Sequence, residues 1–269
     1  SRRRHTRCSR DWSSDVCSSD LPDDLLRIEL FLGNSCNYKC WYCFPGYNEG
    51  TVPWPRLESI NNNLSHLIDY YKKNTNKKRV NLHIIGGEPT LWKDFDKFIR
   101  FFKQEHGCII STSTNGSRTL RWWEESKKYF DHVCLSFHPQ FAEAEHFIDV
   151  VKLLHNDIRT HVNIMMDPDK FDYCYAIANK VKNLGNLSMA LQPLIHDFGD
   201  VLYDYTDSQK KIFDKQHDLI TRHIKFTKSF DYYRGAMRIV NADGTSEVCS
   251  AHRLDRKSTR LNSSHGYIS

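Results

Sequence analysis

Residues 27–43 read RIELFLGNSCNYKCWYC, a predicted strand followed immediately by a loop that contains three cysteines. Residues 27–32 predict the strand, and Cys36, Cys40 and Cys43 follow it with the spacing C-x3-C-x2-C. This close spacing lets one loop wrap a compact metal centre. Thiolates are the soft ligands that iron–sulfur clusters and zinc prefer.

The number of cysteines in the loop favours an iron–sulfur cluster over zinc. A cubane has four irons, so three thiolates leave one iron open to a substrate or cofactor. A structural zinc site is normally closed by four ligands. No fourth Cys or His lies nearby in the sequence, but the cysteines alone leave zinc open as the alternative.

Strand and helix patterns alternate along the rest of the chain. Periodicity and turn signals predict strands at residues 27–32, 79–85, 108–113, 132–137, 161–166 and 187–194. Helical spacing predicts helices at residues 57–71, 95–102, 120–129, 141–154, 171–184 and 207–228. Six strand–helix units imply a parallel sheet with right-handed crossovers. Periodicity alone fits both a doubly wound sheet and a partial barrel.

The two ends of the chain differ from the rest. Residues 11–20 (DWSSDVCSSD) and 255–265 (DRKSTRLNSSH) can be encoded by DNA strings that are reverse complements over their shared length. Both strings resemble a common sequencing-library adapter. We therefore interpret residues 1–21 and 255–269 as adapter-derived tails and leave them out of the fold prediction.

The tails also set the domain boundaries that we expect. Residues 22–230 are predicted to form the core domain. A predicted hairpin around Asp243 and Gly244 indicates that residues 231–254 begin a C-terminal extension, which the second tail cuts short.

The charge of the chain depends on those tails. The full sequence has a formal net charge of +5, and the tails carry eight of its 38 basic and four of its 33 acidic residues. The remaining 30 basic and 29 acidic residues give +1, so the charge argument for nucleic-acid binding disappears. No apolar run approaches the about 18 residues of a membrane span. We expect a cytoplasmic protein with no signal peptide and no membrane partner.

The other cysteines are expected to be structural. Cys108 and Cys134 fall in apolar strands and Cys174 in a helix, where a buried free thiol behaves as a small hydrophobe. Cys249 lies in the predicted extension, and the sequence assigns it no role.

A second segment, residues 86–90 (GGEPT), follows the second predicted strand. Gly86 and Gly87 let the backbone approach a ligand where a Cβ would clash. The carboxylate of Glu88 could meet an ammonium group. Taken alone, this segment is equally an ordinary glycine-rich turn.

The cysteine loop resembles the signature of the radical S-adenosylmethionine (SAM) family, C-x3-C-x-aromatic-C, and GGEPT matches that family's GGEP motif. The resemblance covers roughly residues 27–195 and implies a partial (β/α)6 TIM-type barrel. It implies that Cys36, Cys40 and Cys43 hold a [4Fe–4S] cluster whose fourth iron binds the amino and carboxylate groups of SAM. It places Tyr42 near the adenine.

The resemblance also implies further SAM contacts. Gly86, Gly87 and Glu88 would meet the methionyl end, and Asn115 and Ser136 match positions near the ribose and carboxylate. His138, which follows Ser136, is interpreted as a loop cap before Pro139 rather than as a residue that acts on substrate.

The implied activity is reductive cleavage of SAM to a 5′-deoxyadenosyl radical that abstracts hydrogen from a substrate. A peptide or protein substrate is our first interpretation, and a small-molecule or nucleoside substrate the second. The implied partners are SAM, that substrate and an electron donor such as flavodoxin or ferredoxin. A zinc-binding module without catalysis is the alternative from another class of protein.

Overall fold

The computed structural model describes residues 24–43, 46–185, 187–196, 201–215, 236–240 and 246–250, without the side chains of 214–215 and of the last two segments. This part of the chain forms eight strands and six α-helices. The strands are β1 (Leu25–Phe31), β2 (Arg79–Ile85), β3 (Ile109–Thr114), β4 (His132–Phe137), β5 (Arg159–Met166), β6 (Ser188–Pro193), β7 (Ala236–Val240) and β8 (Ser246–Ser250). The helices are α1 (Leu57–Asn74), α2 (Phe95–Glu105), α3 (Leu120–Ser126), α4 (Ala144–Leu154), α5 (Phe171–Lys182) and α6 (Asp207–Lys215).

Strands β1 to β6 are parallel and lie across the sheet in chain order. A doubly wound sheet reverses its strand order at a switch point, and these six strands do not. Right-handed crossovers that always step in one direction leave the helices on one face of the sheet. Buried side chains from all six helices accordingly join one apolar cluster with the strands. The architecture is α/β and singly wound, the arrangement of a partial (β/α)6 barrel.

The two faces of the sheet differ in polarity because side chains alternate along each strand. On β2, Leu82 and Ile84 are buried in the apolar cluster with the helices. His83 lies on the opposite face, where its Nδ1 is 2.9 Å from the Ser111 hydroxyl of β3. The face without helices therefore carries polar groups.

Helix α2 shows how the sequence sets the packing. Phe95, Phe98, Ile99 and Phe102 recur at helical spacing, and each is at most 1% exposed. Burying side chains of this size contributes about 1.5–3 kcal/mol each.

No helix in the described part of the chain is long and apolar enough to cross a bilayer.

Strands β7 and β8 pair antiparallel, and β7 pairs antiparallel with β1. This confirms the predicted pairing after residue 230. The turn at residues 241–245, the two tails and residues 216–228 of the last predicted helix lie outside the described residues.

The three cysteines expected in the core are all buried, each at most 2% exposed. Cys108 and Cys174 are fully buried in the apolar cluster, as expected. Cys134 is buried as well, but it alternates with Val133 and Leu135, which pack against the helices. Its thiol therefore belongs to the polar face of the sheet, and the side chain of Cys249 lies outside the described residues.

Candidate functional site

The three cysteines lie in the loop that follows β1, and their thiols are all free. The backbone nitrogen of Cys43 donates to the carbonyl of Cys40 at 3.1 Å, which folds the C-x2-C half into a tight turn. Cys40 is buried, whereas Cys36 and Cys43 are partly exposed. The loop presents these thiols at the carboxyl edge of the parallel strands, the edge at which α/β barrels have their active sites.

Asn34, at the start of the cysteine loop, is hydrogen-bonded to residues at the end of the loop, Gly46, Thr51 and Val52. Its Oδ1 accepts from the Val52 nitrogen at 2.7 Å, and its Nδ2 donates to the Gly46 carbonyl at 2.5 Å and to Thr51 Oγ1 at 2.9 Å. The side chain is fully buried, so water does not compete for these bonds. Sequence reasoning missed Asn34; its only signal there is its place just before the first cysteine.

The Gly86–Gly87 turn packs directly against the beginning of the cysteine loop. The Gly87 nitrogen donates to the Gly33 carbonyl and the Glu88 nitrogen to the Ser35 carbonyl, each at 2.8 Å. A Cβ at Gly86 would lie 2.5 Å from the Gly33 oxygen, and one at Gly87 would lie 2.4 Å from the Ser35 oxygen. Both glycines thus make room for the backbone of the loop, whereas the sequence interpretation had them make room for a ligand.

The carboxylate of Glu88 is buried inside the protein. It accepts from the nitrogen and hydroxyl of Thr90 at 3.2 and 2.6 Å, from the Thr114 hydroxyl at 2.8 Å and from the Asn115 nitrogen at 2.7 Å. Desolvation raises its pKa, and these hydrogen bonds oppose the rise. The carboxylate therefore ties β2 to β3, and the contact of Glu88 with SAM stays a prediction.

Asn115 connects the turn after β3 to the cysteine loop. Its Nδ2 donates to Asn37 Oδ1 at 2.9 Å and lies 3.9 Å from the sulfur of Cys36. The nitrogen of Tyr38 donates to the same sulfur at 3.3 Å. The structure thus brings the predicted residue Asn115 beside the cysteines, and its role toward SAM stays a prediction.

Tyr42 and His138 form a stacked pair beside Cys40. Their ring centroids are 5.9 Å apart with an interplanar angle of 10°. His138 Nδ1 lies 2.9 Å from the Tyr42 hydroxyl and 3.6 Å from the Cys40 sulfur. Desolvation lowers the pKa of His138 to about 4, and it raises the pKa of Tyr42. The interpretation of His138 as only a loop cap missed this contact with the cysteine loop.

Ser136 alternates with Leu135 and Phe137 on β4, so its side chain lies on the polar face of the sheet, two positions before His138 in the chain. It is partly exposed, and its neighbour on β5 is Asn163. The structure places Ser136 on the strand that leads to His138, and its predicted contact with SAM stays a prediction.

Trp41 is held by the ends of β4 and β5, a set of contacts that the sequence did not reveal. Its backbone nitrogen donates to Gln140 Oε1 at 3.0 Å, and its indole nitrogen donates to Asp167 Oδ2 at 3.3 Å. Tyr203 packs edge-on against the indole with centroids 4.8 Å apart. Together with the Gly86–Gly87 turn after β2, these contacts fix the loop from both halves of the sheet.

The thiols of the loop fit a cationic cluster. Desolvation raises the pKa of all three, to about 11 for Cys40 and about 12 for Cys43, and neighbouring thiols add to the rise at these two. Metal coordination deprotonates such thiols because it supplies the missing positive charge. No three His, Cys, Asp or Glu side chains among the described residues converge on one metal ion. A cubane does not need such convergence, because each thiolate binds its own iron.

Solved structures share the fold. Streptococcus suis SuiB bound to S-adenosylmethionine matches with a TM-score of 0.53 and 16% identity, over 76% of this chain and 48% of that chain. The same protein bound to its precursor peptide SuiA matches with a TM-score of 0.52. At this identity the likeness concerns the fold.

Curated relatives align over part of the chain. A GTP 3′,8-cyclase of Vibrio vulnificus (strain YJ016) is 34% identical over 103 residues, which is 37% of this chain and 30% of that relative. The radical SAM cyclopropyl synthase TigE of Paramaledivibacter caminithermalis is 26% identical over 179 residues, 56% of this chain and 37% of TigE. This chain spans about a third of the length of these relatives.

The family comparison covers the whole of the site described above except Tyr203. The sequence profile of the radical SAM superfamily matches residues 30–174, more than half of the chain. That range contains the cysteine loop, the Gly86–Gly87 turn, Asn115 and His138. This chain therefore belongs to the radical SAM superfamily, whose cofactors are a [4Fe–4S] cluster and SAM.

Proposed function

We propose that this chain holds a [4Fe–4S] cluster on Cys36, Cys40 and Cys43 and uses SAM to start a radical reaction on a peptide or protein. When bound, these cofactors supply a 5′-deoxyadenosyl radical, formed from SAM with release of methionine, that abstracts hydrogen from a C–H bond. One observation carries the proposal: three free thiols share a short loop that is seated by backbone bonds against the Gly86–Gly87 turn.

The residues around the loop supply rigidity and an aromatic surface. Asn34 closes the loop through three hydrogen bonds. Tyr42 and the neutral His138 offer a flat aromatic pair, and a stacked ring surface is suited to holding a base. Orientation and exclusion of water are what the protein contributes to such a reaction.

We assign the SAM contacts by position. The backbone of Gly86, Gly87 and Glu88 would hold the methionyl end. Asn115 and Ser136 would lie near the ribose and carboxylate. The nearness of Asn115 to the Cys36 sulfur supports this assignment.

A peptide or protein substrate is supported by the likeness in fold to SuiB, which has been solved with a precursor peptide. The β7–β8 hairpin after the core, where we expect an extension to begin, also supports it. A nucleotide substrate is the second candidate, because the GTP 3′,8-cyclase is 34% identical over the aligned residues. We propose a cytosolic setting in which flavodoxin or ferredoxin delivers the electron.

The test is anaerobic reconstitution with iron and sulfide, followed by addition of dithionite and SAM. We expect about four irons per chain, the content of one cubane, and formation of 5′-deoxyadenosine. The triple variant C36A/C40A/C43A is expected to lose both, whereas the core variant C108A keeps both. A colourless protein with one zinc, or iron uptake that survives the triple variant, would overturn the proposal.

The two substrate candidates are separated in the same assay. A peptide encoded beside the gene is expected to increase 5′-deoxyadenosine formation and to lose hydrogen to it. An increase with GTP and none with the peptide would favour the nucleotide.

A further inference from the structure

His138 contacts the cysteine loop at several points although it lies 98 positions from Cys40 in the chain. Its Nδ1 is 3.6 Å from the Cys40 sulfur and 2.9 Å from the Tyr42 hydroxyl. Its ring stacks on Tyr42, and Tyr38 meets it edge-on with centroids 6.0 Å apart. The contacts with Tyr42 and Tyr38 fix the orientation of the imidazole, so Nδ1 stays beside the sulfur.

The two neighbours of Nδ1 differ in what they can do. The Tyr42 hydroxyl can donate or accept, whereas a thiolate at Cys40 can only accept. The Tyr42 hydroxyl also hydrogen-bonds to the Cys40 sulfur, so a proton on Nδ1 gives the thiolate a second donor and the hydroxyl oxygen remains free to accept from the imidazole. A proton on Nε2 would instead leave Nδ1 without a hydrogen to offer the sulfur.

We propose that His138 is a positioning residue whose Nδ1–H donates a hydrogen bond to the Cys40 sulfur and raises the reduction potential of the cluster on that sulfur. The inference rests on the proposed function, since it requires Cys40 to be a cluster ligand. Hydrogen bonds to the sulfurs help to set the potential of an iron–sulfur cluster. The N–H dipole stabilises the extra negative charge of the reduced cluster, so its loss makes reduction harder.

Two substitutions separate the hydrogen bond from the stacking. His138→Phe keeps a flat ring against Tyr42 but has no N–H group. His138→Asn places an amide N–H close to the position of Nδ1. The matched control is His155→Phe, because His155 bonds to carbonyls of its own helix, Val151 and Lys152.

The experiment is a redox titration of the reconstituted proteins, followed by the electron paramagnetic resonance of the reduced cluster. We expect a more negative midpoint potential in H138F, recovery toward the wild-type value in H138N and no shift in H155F. Iron and sulfide content is measured first. A wild-type chain that takes up no cluster refutes the proposed function, and the inference with it. Full cluster content with equal potentials in wild type and H138F overturns the inference alone.

A second measurement does not depend on how the variants fold. Wild-type protein with nitrogen-labelled histidine is examined by electron–nuclear double resonance in water and in heavy water. We expect coupling of the cluster to one histidine nitrogen and to a proton that exchanges. Absence of both couplings in a cluster-loaded protein contradicts the inference.

Discussion

The carboxylate of Glu88 accepts a 2.7 Å hydrogen bond from the backbone nitrogen of Asn115, 27 positions further along the chain. The bond joins the turn after β2 to the turn after β3. Both turns also touch the cysteine loop, through the Glu88 nitrogen and through the Asn115 side chain. The buried hydrogen bond between Glu88 and Asn115 therefore holds together the two turns that contact the cysteine loop.

Replacing Glu88 should destabilise the protein strongly. In E88A the donors from Thr90, Thr114 and Asn115 lose their acceptor in a buried place, and each such loss costs about 1–3 kcal/mol. We expect urea denaturation to show a loss of about 3 kcal/mol in the free energy of unfolding. The exposed control E58A should change it by less than about 0.5 kcal/mol. Equal stability of E88A and wild type would contradict the role of the carboxylate as a tie.

A substitution of Gly87 tests whether the cysteine loop needs its close packing against the Gly86–Gly87 turn. In G87A the new Cβ would lie 2.4 Å from the Ser35 oxygen, so the loop must shift. Overpacking of this kind costs about 1–3 kcal/mol, and we expect reconstituted G87A to hold less than half the iron of wild type.

The control for G87A is G107A. Gly107 has a φ of +62° and no neighbour within 4 Å of its Cβ position, so alanine there adds backbone strain of about 1–2 kcal/mol without a clash. We expect G107A to bind iron fully. Full iron content in G87A as well would show that the close approach is not needed.

A substitution of Asn34 tests whether its hydrogen bonds hold the two ends of the cysteine loop together. N34A removes the bonds to Val52, Thr51 and Gly46, and the buried groups left behind cost about 2–3 kcal/mol in total. Limited proteolysis of the apo protein should then cut residues 46–52 faster than in wild type. N74A is the control, because the exposed Asn74 side chain donates to the Tyr70 carbonyl of its own helix. A cleavage rate in N34A no higher than in N74A would argue against this role.

The contact between Trp41 and Asp167 can be measured with a double-mutant cycle. W41F removes the indole N–H but keeps a ring against Tyr203, and D167A removes the acceptor. We expect a coupling of about 0.5–1.5 kcal/mol in thermal or urea denaturation. The exposed pair Arg121 and Glu125 serves as the control, and its coupling should be negligible. A Trp41–Asp167 coupling as small as that of the control would disprove the contact.

The strands were predictable because their signals are local. The predicted bounds 79–85 and 132–137 agree with β2 and β4, because the Gly86–Gly87 turn and Pro139 mark where these two strands stop. Helix α4 begins at Ala144 instead of residue 141, because the nitrogens of Phe141 and Ala142 donate to the His138 carbonyl in a turn. Periodicity does not reveal a turn of this kind when its residues suit a helix.

The candidate site was predictable only in part. The spacing of Cys36, Cys40 and Cys43 is itself a local signal. Whether Gly87 makes room for a ligand or for a neighbouring backbone depends on what packs against it, which the sequence does not state. The contact of His138 with Tyr42 joins residues 96 positions apart, beyond the reach of any pattern along the chain.

The chain order of the strands has a consequence for how the protein is made. Asn34, the Gly86–Gly87 turn and Asn115 all leave the ribosome before His138 and Asp167, and each of β2 and β3 pairs with the strand synthesised just before it. Domains tend to fold from the N-terminus during synthesis. A nascent chain that extends beyond Asn115 already contains the residues that make these contacts with the cysteine loop. His138 and Asp167 are synthesised later and add the contacts with Tyr42 and Trp41. Iron loading of ribosome-bound chains of increasing length would time these two stages.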